Sequence, residues 1–253
     1  MIGMRALDIK LLRDLKRLWA QALAIALVVA GGVATLILAV GSYRSLDETR
    51  AAYYERNRFA DVFAVVNRVP KTLLDQVAEI PGVAAVEARI AKLALLDIPD
   101  YLEPATAEVI SLPDIGESKL NRLYMRLGRT PEPDRADEVI VNETFARAHG
   151  FGIGARFSAI LNGRKRELTI VGTALSPEFI YTVGPGDIMP DDRRFAIIWM
   201  SEKALAGAYN LEGAFSSLGV KLLRGVSERE VISRLDALLD RYGGRAAHGR
   251  KDQ

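Results

Sequence analysis

The sequence contains no cysteine and only two histidines. Without thiols there is no disulfide, no cysteine nucleophile and no thiolate metal site. His149 stands at an expected helix end and His248 in the C-terminal stretch, so neither belongs to a pattern with metal-ligand spacing. No Walker A loop and no Gly-x-Ser-x-Gly elbow occurs, which removes ATP hydrolysis by this chain and the common hydrolase arrangement. Gly150, Gly152 and Gly154 are spaced like part of a dinucleotide fingerprint, but that motif needs a strand before the glycines and a helix after them. Here the expected order is reversed, and Gly150 reads as a helix C-cap. Asp187, Asp191 and Asp192 lie among Pro185, Gly186 and Pro190 and read as a solvated loop. The expectation is a protein that is not an enzyme, with no catalytic residue, no metal site and no cofactor.

An excess of one charge is also missing: 34 Lys and Arg stand against 32 Asp and Glu. A nucleic-acid partner, which needs a concentrated basic patch, is not expected. Charge is absent altogether over 26 consecutive positions, Leu18 to Tyr43. At about 1.5 Å per residue this run is roughly 39 Å of helix, longer than the roughly 30 Å hydrocarbon core of a bilayer. It predicts a transmembrane helix at 18–43. A cleaved signal peptide is the rival, with small residues at Ala39-Val40-Gly41, but the run exceeds the 7 to 15 residues of a signal h-region and its 17-residue leader holds Asp8 and Asp14. No later apolar run reaches span length, because Val83 to Ile98 is interrupted by Glu87, Arg89, Lys92 and Asp97.

Within the span Ala22, Ala26, Ala30 and Ala34 recur every fourth residue beside Gly31-Gly32. Small residues in a column let helix backbones approach closely in lipid, so these four are the candidate transmembrane packing residues. Residues 1–17 place Met4, Leu7, Leu11, Leu15 and Leu18 at helical intervals with Arg5, Lys10, Arg13, Lys16 and Arg17 largely opposite, which predicts an amphipathic helix in the membrane plane. Arg13, Lys16, Arg17 and the interfacial Trp19 are the candidate membrane-interface and coupling residues. Five basic residues precede the span and four follow closely, a small bias toward a cytoplasmic N-terminus.

Beyond the span, residues 44–60 read as a charged helical stalk. Strand-like Asp61 to Val66, a helix with Leu73, Leu74, Val77 and Ile80 on one face, and a long strand Val83 to Ile98 follow. A Pro-rich boundary with a brief helix around Leu120 to Leu127 leads into β-rich text at Glu138–Asn142, Arg156–Leu161, Glu167–Ala174 and Phe195–Met200. Asn162-Gly163 between two of these runs signals a type I′ hairpin. Phe179, Ile180, Tyr181 and Val183 read as a short core strand, with contact to a lipid-like ligand or partner as the other reading. A helix at Ser201–Tyr209, a strand at Leu218–Leu223 and a helix opened by the capping box Ser227–Glu230 complete the pattern. The expected class is α+β: a split domain at 61–103 and 201–244, a small β-rich subdomain at 104–200 inserted into it, and a polar tail at 245–253.

The order of these parts resembles the N-terminal half of MacB/FtsX-type ABC transporter permeases. The resemblance is carried by residues 23–32 (LAIALVVAGG), 80–86 (IPGVAAV), 128–143 (GRTPEPDRADEVIVNE), 170–181 (IVGTALSPEFIY) and 189–195 (MPDDRRF). It implies a bacterial-type cell membrane location and a porter-like extracytoplasmic core domain. It also implies partners: a separate cytoplasmic ATP-binding subunit whose motion the domain relays, further transmembrane helices of the same permease or a second copy, and the lipid bilayer. Such permeases have at least three more spans, so the chain is expected to be a segment of a longer one, exporting or extracting a hydrophobic or lipidic substrate. The alternative is a single-span, membrane-anchored extracytoplasmic binding or assembly module.

Overall fold

The computed structural model describes residues 10, 13, 17–179 and 181–250, with the side chains of Ala22 and Ala51 left out. Residues up to Tyr53 form one compact unit and those from Tyr54 another. The first is dominated by helix α1 (Trp19–Arg56), 38 residues long and of a composition able to cross a membrane. Apolar side chains point in every direction around it: Ile25 is 65% exposed, Val28 75% and Leu38 70%. A helix apolar on all sides is stable only in an apolar surrounding. Its one mid-span hydroxyl is satisfied internally, since Thr35 donates to the Gly31 carbonyl at 2.9 Å. The expected stalk is this same helix, which stops at Arg56 rather than at residue 60. Most of the expected amphipathic helix at 1–17 lies outside the described residues.

The second unit is built on two sheets. The smaller has the order β11-β1-β10-β2, with β1 (Val62–Pro70), β2 (Val83–Arg89), β10 (Ala214–Leu222) and β11 (His248–Gly249). Helices α2 (Leu73–Ala78) and α5 (Glu228–Leu239) cover one of its faces, where Val62, Leu73, Val77, Phe215, Leu235 and Leu239 share a core. Each large side chain buried there contributes about 2 kcal/mol of transfer free energy.

The larger sheet has the order β5-β8-β6-β9-β4-β3-β7, and β7 also pairs with β8. Its strands are β3 (Ala91–Asp97), β4 (Ala105–Leu112), β5 (Tyr124–Gly128), β6 (Glu138–Asn142), β7 (Arg156–Leu161), β8 (Arg164–Leu175) and β9 (Phe195–Ser201). The 12-residue β8 makes this closure possible: its first half pairs with β7 and its second with β5 and β6. Six strands thereby form a ring, with β5 outside it and paired to β8. The β7–β8 turn is the two-residue Asn162-Gly163, both at positive φ (49° and 77°), as a type I′ hairpin requires. Helices α3 (Glu143–Ala148) and α4 (Glu202–Tyr209) add Phe145 and Leu205 to the core within.

Several sequence expectations are corrected. Val83 to Ile98 is not one strand: the chain changes sheet at Ile90, so β3 belongs to the larger sheet, and the crossing falls there rather than at residue 104. On the return, α4 packs with the larger sheet's core, so the smaller sheet resumes at Ala214 rather than at 201. The β-rich part is the larger of the two, not the small one. The run Leu120 to Leu127 is a buried turn followed by β5, without a helix. Among the described residues of 179–183 none is in a strand, Ile180 lying outside them: Phe179 packs edge-on to Trp199 while Tyr181 is 78% exposed. Ser227 occupies the N-cap of α5 but makes no side-chain cap bond, and Glu230 instead pairs with Arg234. The polar tail is not unpacked, because His248 and Gly249 form β11 against β1.

Candidate coupling joint

The chain enters the folded unit through Tyr54 to Asp61. Arg58 takes a positive φ of 49°, which ends the helix and turns the backbone toward β1. Phe59, Ala60, Phe63 and Leu120 then form a small separate core beneath it, with Phe59 4.8 Å from Tyr54 and 5.5 Å from Phe63, centroid to centroid. The C-terminal return arrives at the same place. β11 runs antiparallel to β1 with Val62 opposite Gly249, and His248 stacks on Phe63 at 6.0 Å. Arg250 pairs with Asp61, donates to the Ala60 carbonyl at 3.1 Å and lies 5.2 Å from the Phe59 ring. Lys221 donates to the Phe59 carbonyl at 2.8 Å and to Asp61. Burial lowers the affinity of both Arg250 and Lys221 for their protons, and Asp61 answers both cations. Gly244 allows the return to hug β1: at φ +137° any Cβ there would sit 2.3 Å from the Val65 carbonyl oxygen.

A second polar layer joins the two sheets where the chain crosses between them. Arg89, at the end of β2, makes a bidentate pair with Glu178 in the loop after β8, at 2.7 and 2.8 Å. Only 8% and 5% of these two side chains are exposed. Burial works against the Arg89 charge, but Glu178, Glu87 and Glu108 together hold its pKa above the ordinary value. Asn121 ties the layer to the foot of α1: its Nδ2 donates to Glu178 at 3.1 Å, and its Oδ1 accepts from the Ala60 N–H at 2.9 Å. The Asn121 and Arg122 N–H groups donate to the Arg58 and Asn57 carbonyls. Glu87 accepts from the Leu120 N–H at 2.6 Å, and burial pushes its carboxyl up. At the crossing itself, Ser111 Oγ accepts from Ile90 N–H, and Ser216 Oγ accepts from Ala91 N–H. These two bonds, one from each sheet, replace the ladder partners that β2 and β3 lose at the break.

A cleft of about 650 Å³ opens beside this layer, lined by Leu112, Arg122, Leu123, Met125, Arg129 and Ser201 among others. Its charges are mostly paired within the protein: Arg129 grips Glu138 with two bonds of 2.7 Å, and Arg122 meets Glu117 at 3.2 Å. Among the described residues no cluster of His, Asp and Glu suits a metal ion.

Among the described residues, none of the sequence-predicted site residues falls in this joint. Ala26, Ala30, Ala34 and Trp19 are exposed along α1, and Arg13 and Arg17 are exposed before it. The side chain of Ala22 and the whole of Lys16 lie outside the described residues. The joint residues Glu87, Arg89, Glu108, Asn121 and Glu178 were missed. The signal that could have found them is charge inside a strand: Glu87, Arg89 and Glu108 interrupt otherwise apolar β runs.

No family model matches the chain, and no curated protein does. Among solved structures it is similar to regions of transporters that lie outside the cytoplasm. One is the extracellular domain of the noncanonic ABC-type transporter YknZ from Gram-positive bacteria, at 13% identity and a TM-score of 0.46 over 75% of this chain and 98% of that one. Another is the periplasmic region of MacB from Actinobacillus actinomycetemcomitans, at 12% identity and a TM-score of 0.41 over 76% and 89%.

Proposed function

We propose that this chain is a segment of an ABC-type permease. In this reading α1 crosses the cell membrane with the N-terminus in the cytoplasm, the unit from Tyr54 onward lies outside, and a separate cytoplasmic ATP-binding subunit drives it. The observation that carries the reading is the pairing of Val62 with Gly249, sealed by Arg250 on Asp61. It brings residue 250 back beside the point where α1 delivers the chain, as an extracytoplasmic domain set between two spans of one chain requires. The uncharged run in α1 and the sequence resemblance to MacB/FtsX-type permeases support the same reading.

Movement of α1 along or about its axis would reach the two sheets through Arg58 and Ala60, which are hydrogen-bonded to Asn121. The two sheets then act as separate bodies, one at 62–89 with 214–250 and one at 90–213, hinged at Ile90. Arg13, Lys16 and Arg17 face the ATP-binding subunit, Ala22, Ala26, Ala30 and Ala34 pack on other spans, and the substrate is hydrophobic or lipidic.

The test is ATP hydrolysis that co-purifies with the chain from its own membranes, where the chain itself has no Walker A loop. The triple variant Arg13→Glu, Lys16→Glu, Arg17→Glu is expected to lose that activity while its folded unit keeps wild-type hydrogen-exchange protection. A wild-type preparation without ATP hydrolysis, or activity untouched by the variant, would contradict the proposal and favour the single-span binding module.

A further inference from the structure

Beside the polar seam between the two sheets lies the cleft of about 650 Å³. That volume is within the usual range of sites for small organic molecules, about 300–1,000 Å³. Part of its lining is apolar: Leu112, Leu123 and Met125 back onto the core around Trp199, and Pro131 and Pro133 add to them. The charged part holds Asp114, Glu117 and Glu132 against Arg122 and Arg129. Both guanidiniums are already committed. Arg129 spends its two terminal nitrogens on Glu138, outside the lining, and stands 3.6 Å from Glu132. Arg122 meets Glu117 at 3.2 Å and donates from Nε to the Ser118 carbonyl at 3.0 Å.

Four carboxylates thus share two cations, and Asp114 is the one with neither. Its Oδ2 accepts from the Lys203 N–H at 3.0 Å, while its Oδ1 is buried and has no hydrogen-bond partner among the described residues. The Lys203 ammonium is held by Asp134 at 2.7 Å. A buried carboxylate oxygen without a donor is unfavourable, and a charged donor answers it best.

We propose that this cleft binds an amphipathic primary amine, its ammonium seated against Asp114 and its apolar body on Leu112, Leu123 and Met125. The ammonium supplies both the donor and the charge that Asp114 lacks. An anion would face three carboxylates and would have to draw Arg122 or Arg129 away from their partners, and a neutral molecule of the same shape would leave the Asp114 charge unanswered. Asn57, the residue before Arg58, is part of the lining, so an occupant lies against the chain where it turns toward β1. The site belongs to the folded unit alone and does not depend on the permease reading.

The test uses the full chain in phosphatidylcholine nanodiscs with carbon-13 methionine methyls, and follows the Met125 signal at pH 7 as 4-phenylbutylamine, 4-phenylbutyrate or 4-phenylbutanol is added. The three probes share one apolar body and differ in the charge of the head. The amine is expected to shift the signal saturably and to bind at least tenfold more tightly than the acid or the alcohol. Asp114→Asn, which keeps the shape and removes the charge, is expected to weaken the amine tenfold or more and to leave the alcohol unchanged. A wild-type Met125 signal that ignores the amine, or that responds alike to all three probes, overturns the site without any variant. Amine binding undiminished in Asp114→Asn overturns it as well.

Discussion

Arg89 shows why a single position governs the seam. A guanidinium this deep is tolerable only while Glu178 answers it with two bonds and Asn121 fixes the carboxylate. Removing one partner leaves the other as an unpaired buried charge, a loss of about 3–5 kcal/mol, whereas replacing both by apolar groups of similar volume is often nearly neutral. Arg89→Met is therefore expected to lower the urea midpoint sharply, and Arg89→Met with Glu178→Leu to recover most of the loss. Trp199 is a built-in reporter, buried and edge-on to Phe179 beside Glu178. A single variant as stable as the wild type would mean that the pair does not hold the seam.

At the scale of elements, legibility followed locality. β6 and β7 lie where the sequence places them, at Glu138–Asn142 and Arg156–Leu161, because apolar runs with turn chemistry such as Asn162-Gly163 decide them locally. The break at Ile90 was not legible. Residues 83 to 97 form strand on both sides of it, and the break is set by Ser111 and Ser216, which lie 21 and 125 positions away in sequence. β11 was invisible for the same reason: two residues have no pattern of their own, and only β1 gives them one. The joint pair spans 89 positions, so only the isolated charges of β2 and β4 pointed toward it.

The element most open to test is α1. With Ala26, Ala30 and Ala34 exposed in a column, Ala26→Leu or Ala30→Leu is expected to hold partner helices apart, at a cost on the order of 1 kcal/mol per contact in lipid. Val29→Leu, off the column, is expected to be tolerated. Helix assembly in membranes, compared among these variants, checks this; equal assembly of all three would reduce the column to composition.

At the scale of the whole molecule, an apolar helix, a folded unit that returns its chain to its own starting point, and a polar seam between two sheets are consistent with one another. The absence of cysteine makes the central proposal, a cytoplasmic N-terminus and an extracytoplasmic domain from Tyr54 onward, directly measurable. Single cysteines are placed at Arg13 and at Arg164, both exposed, and intact cells are treated with a membrane-impermeant thiol reagent. Arg164→Cys is expected to be labelled in intact cells, and Arg13→Cys only after lysis. Labelling of Arg13→Cys in intact cells, or silence of Arg164→Cys, would contradict the account.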